Sequence, residues 1–491
     1  MAGLDLVVAL GLALLIGNLV SERLRLAAPV VLVALGVLLG LLPGLRGTRL
    51  PPEVVLLLFL PALLFWESIT TSLREIRSNL RVIVLTSTLL VAATAAVVAS
   101  TAHALGLAWG PAWVLGAAVA PTDATAVGAL AGALPRRTIT VLRAESLIND
   151  GTALVIFGLA VGSGRPGVAL TGWLFLWSYG GACATGAFIG WAATRLRRRL
   201  ADAEQDNIAI LLIPFTAYLL AETAHTSGVV AVVVAGLMMG QAGPRLGRPR
   251  TRQQTFAFWG LATSLLNGAL FVLVGIEAHA AVRDLSGVTL TRGLLAVAVT
   301  SAAVVGARFL WLFTTPYVIR ALDRRPRQRL RRVSARARVV SGIAGFRGAV
   351  SLAVALSIPP GFPARTLIVF TVTGVIIVTL VAQAALFPRV VRWARLPTDR
   401  SFADELSLAT RTMTEAARAA LPALARDAAP GAAARVLDDL NGTTPRDAAL
   451  RLALIATKRD ALIGLRDAGR IDDSVLRHLE ERLDREEAAL R

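Results

Sequence analysis

Long apolar segments recur along the first 395 residues of this 491-residue chain, and short stretches rich in Arg separate them. A helix needs about 20 mostly apolar residues to cross a bilayer. The candidate segments are 4–20, 28–44, 52–68, 82–107, 111–134, 139–162, 169–194, 207–224, 228–240, 255–276, 291–318, 339–359 and 366–390. They predict an all-α polytopic membrane protein with about thirteen transmembrane helices. The short ninth segment could also form one bent element with the eighth.

The composition excludes an ordinary soluble protein. Hydrophobic residues make up 55% of the chain and charged residues only 17%, whereas soluble domains carry about a quarter charged residues. The net charge of +19 comes almost wholly from Arg placed between apolar segments, as in polytopic membrane proteins, so we expect no nucleic-acid partner. A single cysteine, Cys183, and four scattered histidines give no disulfide framework or metal-ligand set. We expect no cofactor and no enzymatic activity.

The distribution of Arg predicts the orientation. Loops after odd-numbered segments contain twenty-four Arg, and loops after even-numbered segments contain five. Because Arg and Lys collect on the cytoplasmic side, the N-terminus is predicted outside and the C-terminus inside. Residues 396–491 are polar, so we predict a membrane domain at 1–395 and a cytoplasmic helical tail at 396–491. Helical spacing in the tail predicts one apolar helix face, formed by Ile471, Val475, Leu476, Leu479 and Leu483.

Two carboxylates are predicted near the middle of the membrane. Asp123 is about 12 residues, or about 18 Å, into a span entered from outside, and Asp150 is about 11 residues, or about 16 Å, into one entered from inside. Pro121 precedes Asp123 and predicts a broken helix, because proline removes a helical hydrogen bond. A packing kink is the alternative. Buried ionisable groups in membranes usually belong to an ion path.

The following span reads RAESLINDGTALVIF. Residues four apart share a helix face, so Ser146 lies beneath Asp150 and Glu145 beneath Asn149. Glu145 needs a cationic partner, and depth and charge favour Arg347, which predicts a structural ion pair. Asp150 then has no opposite charge, so it can hold a proton or a small alkali cation but not both. Competition between these two ions suffices for exchange transport.

Six stretches make the sequence resemble sodium/proton exchangers of the cation–proton antiporter superfamily, in the NhaP-like bacterial branch. They are LPALLFWES (60–68), APTDATAVGA (120–129), ESLINDGTA (145–153), AETAHTSGVVAVVVAGLMMG (221–240), LLNGALFVLVGIE (265–277) and GFRGAVSLAVALSIP (345–359). The resemblance implies two inverted repeats with broken, crossing helices and a homodimer. It also implies antiport by alternating access at the plasma membrane, with Na⁺ exchanged for H⁺.

The resemblance also implies roles for individual residues. Asp150 would bind the transported alkali cation and the proton, with further contributions from Thr122, Asp123, Ser146 and Asn149. Glu145 and Arg347 would form the pair that stabilises the core. Asn before this Asp is typical of electroneutral relatives, which favours one cation for one proton.

One stretch departs from the family pattern, and several alternatives stay open. Trp66 stands where the family has its glutamate, and Glu67 follows. The resemblance assigns that glutamate's cation- and proton-binding role to Glu67, although a rotation of about 100° could move Glu67 off the ion path. Arg308 and Glu222 are interpreted as parts of packing networks. Li⁺ or K⁺ could replace Na⁺, and exchange of another solute, an ion channel or a membrane enzyme are the competing functions.

Overall fold

The structure, a computed structural model, is helical in the part of the chain that it describes, with no strand there. The described residues are 2–42, 54–78, 83, 85–123, 134–162, 168–200, 202–246, 248–283, 287–322, 334–345, 347–396, 400–426, 431–438 and 447–490. Small parts of the predicted segments, at 43–44, 52–53, 82, 84, 124–133 and 346, lie outside the described residues.

The apolar part of the chain forms a bundle of helices joined by short connections. The helices are α1 (Ala2–Leu24), α2 (Ala28–Gly40), α3 (Leu60–Thr70), α4 (Leu73–Ser78), α5 (Leu90–Ala104), α6 (Trp109–Val119), α7 (Arg136–Val161), α8 (Val168–Arg197), α9 (Ala203–Thr223), α10 (Gly228–Leu246), α11 (Pro249–Arg283), α12 (Gly287–Leu322), α13 (Ala335–Ile343), α14 (Ala349–Leu356) and α15 (Arg365–Ala394). Two π-helical turns, Val55–Phe59 and Leu85–Leu89, lead directly into α3 and α5.

Each predicted segment corresponds to one of these helices or to an adjacent pair, so the all-α prediction is confirmed. Among the described residues, eight helices are long and apolar enough to cross a membrane, and three shorter apolar helices accompany them. The count of thirteen stays a prediction. The eighth and ninth segments are two helices, α9 and α10, separated by a turn in which His225 has a left-handed backbone with φ of 53°.

The outer surface of the bundle suits contact with lipid. Large apolar side chains are exposed there, among them Leu4, Leu219 and Leu310, each about two-thirds exposed. A soluble monomer rarely exposes apolar area on this scale, whereas lipid tails solvate it. The arrangement is that of a multi-pass membrane protein.

Two predicted spans are interrupted. Helix α6 ends at Val119, two residues before Pro121, whose nitrogen cannot donate a main-chain hydrogen bond. The segment predicted at 339–359 forms two short helices, α13 and α14, and the described residues between them are not helical. Helix α14 packs against α6, so the two interruptions meet inside the bundle.

Glycines allow α2 and α11 to approach until their main chains touch. A Cβ at Gly36 would collide with the carbonyl oxygen of Val272, and one at Gly275 would collide with that of Val33. Membrane helices associate through such small residues, because lipid removes most of the hydrophobic driving force and close packing replaces it. The α2–α11 pair is therefore a tightly packed part of the helix bundle α1–α15, which we call the membrane half.

After α15 the chain forms polar helices that pack together as a tail. They are α16 (Ser401–Leu424), α17 (Ala432–Asp438), α18 (Ala448–Asp467) and α19 (Asp473–Leu490). The apolar face predicted from helical spacing is buried in one cluster with Met413 and Leu462, which confirms that prediction. Its members are Ile471, Val475, Leu476, Leu479 and Leu483.

Ion pairs join the tail to the membrane half. Asp484 of α19 is 2% exposed and accepts hydrogen bonds from Arg252 Nε at 2.9 Å and Arg252 Nη2 at 2.6 Å. Arg459 of α18 donates to the same carboxylate at 2.8 Å. At the first turn of α7, Arg136 forms an ion pair with Asp472. A bidentate arginine–carboxylate pair combines strength with fixed geometry, so α19 is held against α11.

We predict that Asp484→Asn releases α19 from the membrane half. The change leaves two half-buried guanidinium groups facing a neutral amide in place of a buried carboxylate, and breaking a buried ion pair costs about 3–5 kcal/mol. Amide hydrogen exchange in residues 473–490 of the full-length protein should accelerate at least about tenfold. Glu481→Gln, which changes an exposed carboxylate of the same helix, is the control and should leave exchange unaltered. Equal exchange in both variants would show that Asp484 does not hold the helix.

Candidate functional site

The interrupted end of α6 leaves carbonyl groups without helical partners inside the bundle. Arg347, between α13 and α14, is 2% exposed, and its Nη1 donates to the carbonyl oxygens of Ala120 and Pro121. Non-helical backbone is tolerated at membrane depth only where its polar groups are satisfied within the protein. Arg347 therefore stabilises the broken helix.

The prediction that Glu145 pairs with Arg347 was wrong. Glu145 Oε1 accepts a hydrogen bond from Arg308 Nη1 at 2.7 Å, and both side chains are at most 5% exposed. Arg308 also donates from Nε and Nη2 to the carbonyl oxygen of Ser341, at 3.1 and 3.0 Å. Arg347 donates its hydrogen bonds to the carbonyl groups near Pro121 and forms no ion pair with Glu145. The interpretation of Arg308 as part of a packing network is confirmed, and Glu145 is the acidic member of that network.

Asp150 lies in the middle of α7 and is 5% exposed. Among the described residues, no side chain forms a salt bridge or a hydrogen bond with its carboxylate. Ser146 lies one helical turn earlier on the same helix and is 3% exposed. The predicted lack of an opposite charge beside Asp150 is therefore what the described part of the structure shows.

Asn149 and Thr122 connect α7 to the interrupted segment. In the amide orientation that satisfies every group, the Thr122 hydroxyl donates to Asn149 Oδ1 at 2.7 Å. Asn149 Nδ2 then donates to the carbonyl oxygens of Ser87, at 2.9 Å, and Glu145, at 3.0 Å. Asn149 is only 1% exposed, and an amide carries no charge, so this connection is neutral and rigid.

Glu67 lies close to the two aspartates that were predicted near the middle of the membrane. Its carboxylate interacts electrostatically with Asp123 and with Asp150, and also with Arg143. Trp66 faces elsewhere, because its ring lies 5.2 Å from that of Phe256 and 6.5 Å from that of Trp259, both on α11. The shifted sequence pattern therefore leaves the acidic side chain near the other carboxylates.

Asp123 packs directly against the main chain at the second interruption. A Cβ built on Gly348 would collide with the Asp123 carboxylate. Gly348 has φ of −129° and ψ of −160°, a conformation that any residue can adopt. The glycine is therefore required for close approach and not for its backbone freedom.

Sequence reasoning missed three contributors to this site. Arg308 was interpreted as a packing residue and no partner was named for it, although its guanidinium lies at a depth in the membrane comparable to that of Arg347. Gly348 was visible only as part of the GFRGAV stretch. Ser87 contributes a main-chain carbonyl, for which no side-chain signal exists. Glu222, interpreted as a packing residue, accepts a hydrogen bond from Gly228 N at 3.2 Å, at the start of α10.

The oxygen donors near Asp150 suit a hard cation. Within the described ranges, no group of three or more His, Cys, Asp or Glu side chains is arranged to hold a metal ion. Near Asp150 the oxygen donors are carboxylate, hydroxyl and carbonyl groups, which are hard ligands typical of alkali and alkaline-earth cations. The site can bind such a cation or a proton at one carboxylate.

We predict that Glu145→Gln and Arg308→Gln each destabilise the protein by about 3–5 kcal/mol, because either change strands a buried charge. The double variant should lose less than the sum of the two single effects. Thermal unfolding in detergent measures these losses. Asp150→Asn is the comparison, since the carboxylate that it replaces has no described partner to strand. Additive losses would mean that Glu145 and Arg308 do not stabilise each other.

We predict that Gly348→Ala lowers the free energy of unfolding by about 1–3 kcal/mol, the usual cost of overpacking. The added methyl group must displace the Asp123 carboxylate. Gly361→Ala is the matched control, because nothing lies within 4 Å of a Cβ at that position. Melting temperatures of the two variants and the parent protein test this, and equal values for both variants would contradict the collision.

Comparison with known proteins gives consistent matches. The family profile described as sodium/hydrogen exchanger, transmembrane, matches residues 10–393. An uncharacterized Na⁺/H⁺ exchanger of Mycobacterium tuberculosis is 44% identical over 523 aligned residues, which cover 99% of this chain and 96% of that protein. The low-affinity Na⁺/H⁺ antiporter NhaS1 of Synechocystis is 30% identical over 68% of this chain and 63% of its own length.

A solved structure has a similar fold. The sodium proton antiporter MjNhaP1 from Methanocaldococcus jannaschii matches with a TM-score of 0.62 and 18% sequence identity. The match covers 80% of this chain and 99% of that protein. At this identity the likeness concerns the arrangement of helices.

Proposed function

This chain belongs to the sodium/hydrogen exchanger family, and we propose that it is a secondary active antiporter that exchanges Na⁺ for H⁺. The observation that carries the proposal is the isolation of Asp150, a buried carboxylate without an ion-pair or hydrogen-bond partner among the described residues. A carboxylate in a low-dielectric site needs either a proton or a cation to neutralise it. The two ions therefore compete for one position.

Asp150 and the groups around it have different roles in binding the ion. Asp150 carries the exchanged charge, and Ser146, Thr122 and Asn149 supply or orient neutral oxygen atoms near it. Glu67 and Asp123 add negative potential, which favours a cation over an anion or a neutral solute. This electrostatic bias also argues against an organic substrate, which would need directional hydrogen bonds in a larger pocket.

The stoichiometry that we propose is one Na⁺ for one H⁺. Asn149 cannot bind a proton at working pH, and the charge of Glu145 is balanced by Arg308 at 2.7 Å. Asp150 is then the group whose proton is replaced by a cation. Such exchange moves no net charge.

Alternating access would expose Asp150 to one side of the membrane at a time. Interrupted helices whose main-chain groups face a midplane site are a common construction in secondary transporters, and α6 and the α13–α14 pair have this form. We propose that the protein lies in the plasma membrane as a homodimer. The Arg distribution favours an outside N-terminus and a cytoplasmic tail.

Vesicles that contain the purified protein and a luminal pH dye test the function. Adding Na⁺ outside acid-loaded vesicles should make the lumen more alkaline, at a rate that clamping the membrane potential does not change. Asp150→Asn should reduce this rate to that of protein-free vesicles, because the amide has neither a proton to exchange at working pH nor a charge that a cation could neutralise. Asp5→Asn, the same replacement at an exposed residue of α1, should exchange normally.

Two results would overturn the proposal. Exchange by Asp150→Asn at the rate of the parent protein would remove Asp150 from the site. A flux that follows the clamped potential would indicate a channel or an electrogenic exchanger. Repeating the assay with K⁺ and Li⁺ measures which alkali cation is preferred.

A further inference from the structure

A cavity of about 680 Å³ lies between the membrane half and the tail, away from Asp150. Its walls come from the ends of α4, α8 and α10 and from the junction of α18 with α19. Cavities that bind small molecules usually have volumes of about 300–1,000 Å³, so this one can hold a ligand. It contains none of the residues assigned to ion exchange.

Arginines dominate the charge of this cavity. The five are Arg74, Arg77, Arg198, Arg245 and Arg466, and the acidic lining residues are Asp467 and Asp473. The two acids are already engaged, because Asp467 pairs with Arg245 and Arg466, and Asp473 lies 3.4 Å from Arg466. The cavity therefore carries a net positive charge of about three.

Three of these arginines, Arg74, Arg77 and Arg198, have no acidic partner among the described residues. Arg77 and Arg198 form no salt bridge or side-chain hydrogen bond there. Arg466 is 7% exposed, and its Nε lies 3.4 Å from Asp473 without forming a hydrogen bond. An arginine presents several donors in a plane that matches the oxygens of phosphate. Converging guanidinium groups with donors to spare indicate an anion.

The position of the cavity indicates where the anion comes from. Trp191, near the end of the apolar helix α8, lines the cavity and is 58% exposed. Tryptophan is enriched at the level of lipid headgroups. Leu246 and Met238 add apolar area to the same wall. The cavity therefore has one apolar wall at the membrane surface and one basic wall beneath the tail.

We propose that this cavity binds the phosphate of an anionic phospholipid headgroup, taken from the leaflet on the side of the tail. Basic pockets between membrane helices are known to bind such headgroups. Arg77 and Arg198 belong to the membrane half, whereas Arg466 belongs to the tail. A phosphate that contacts both sides joins them and stabilises the docked tail.

Thermal unfolding of the full-length protein in neutral detergent tests this inference. Dioctanoyl phosphatidylglycerol should raise the melting temperature by at least about 2 °C, and dioctanoyl phosphatidylcholine should not. The double variant Arg77→Gln and Arg198→Gln should need at least about tenfold more phosphatidylglycerol for the same shift, since two charge-assisted bonds are lost. The single variant Arg198→Gln should lie between these values.

The control variant carries Arg248→Gln and Arg250→Gln. It loses the same charge at exposed positions that do not line the cavity, and its response to phosphatidylglycerol should match that of the parent protein. Equal weakening in both double variants would overturn the site in favour of general surface attraction. Inorganic phosphate that produces the same shift at the same concentration would overturn the lipid as the source. Neither result would alter the predicted loss of exchange in Asp150→Asn.

Discussion

A helix that breaks inside a bilayer can persist only if its free carbonyl groups find donors within the protein. Here buried side chains supply those donors. Arg347 donates to the carbonyl oxygens of Ala120 and Pro121, and Arg308 donates to that of Ser341. Gln383 of α15 donates to the carbonyl oxygen of Gly345 at 3.1 Å. These bonds allow main chain without helical structure to lie next to Asp150.

The same bonds determine which carboxylate remains available. Arg347 is occupied with main-chain carbonyl groups, and Arg308 is shared between Ser341 and Glu145. Each buried guanidinium near the site therefore has acceptors of its own, and neither is directed at Asp150. A guanidinium bound to Asp150 would neutralise it permanently and leave no position for a transported ion.

Much of this could be predicted from the sequence, because membrane thickness converts residue number into depth. That argument placed Asp123 and Asp150 at similar depths near the middle of the membrane, from two independent spans. It failed for Glu145 because depth is one coordinate and helix rotation is another. It also assumed a continuous helix around Arg347, whereas the described residues between α13 and α14 are not helical, so a rise of about 1.5 Å per residue does not apply there. Arg308, on the continuous helix α12, has the orientation that reaches Glu145.

The tail adds a mechanical constraint to any movement of the site. Arg136, on the helix that carries Asp150, pairs with Asp472 of the tail, and Arg252, on α11, pairs with Asp484. Helix α11 is packed tightly against α2 through Gly36 and Gly275, whereas α7 is connected to α6 through Asn149. A displacement of α7 relative to α11 must therefore bend the tail or break one of these ion pairs. Because both pairs involve buried carboxylates, either break costs several times the thermal energy, so the docked tail resists movement of the helix that binds the ion.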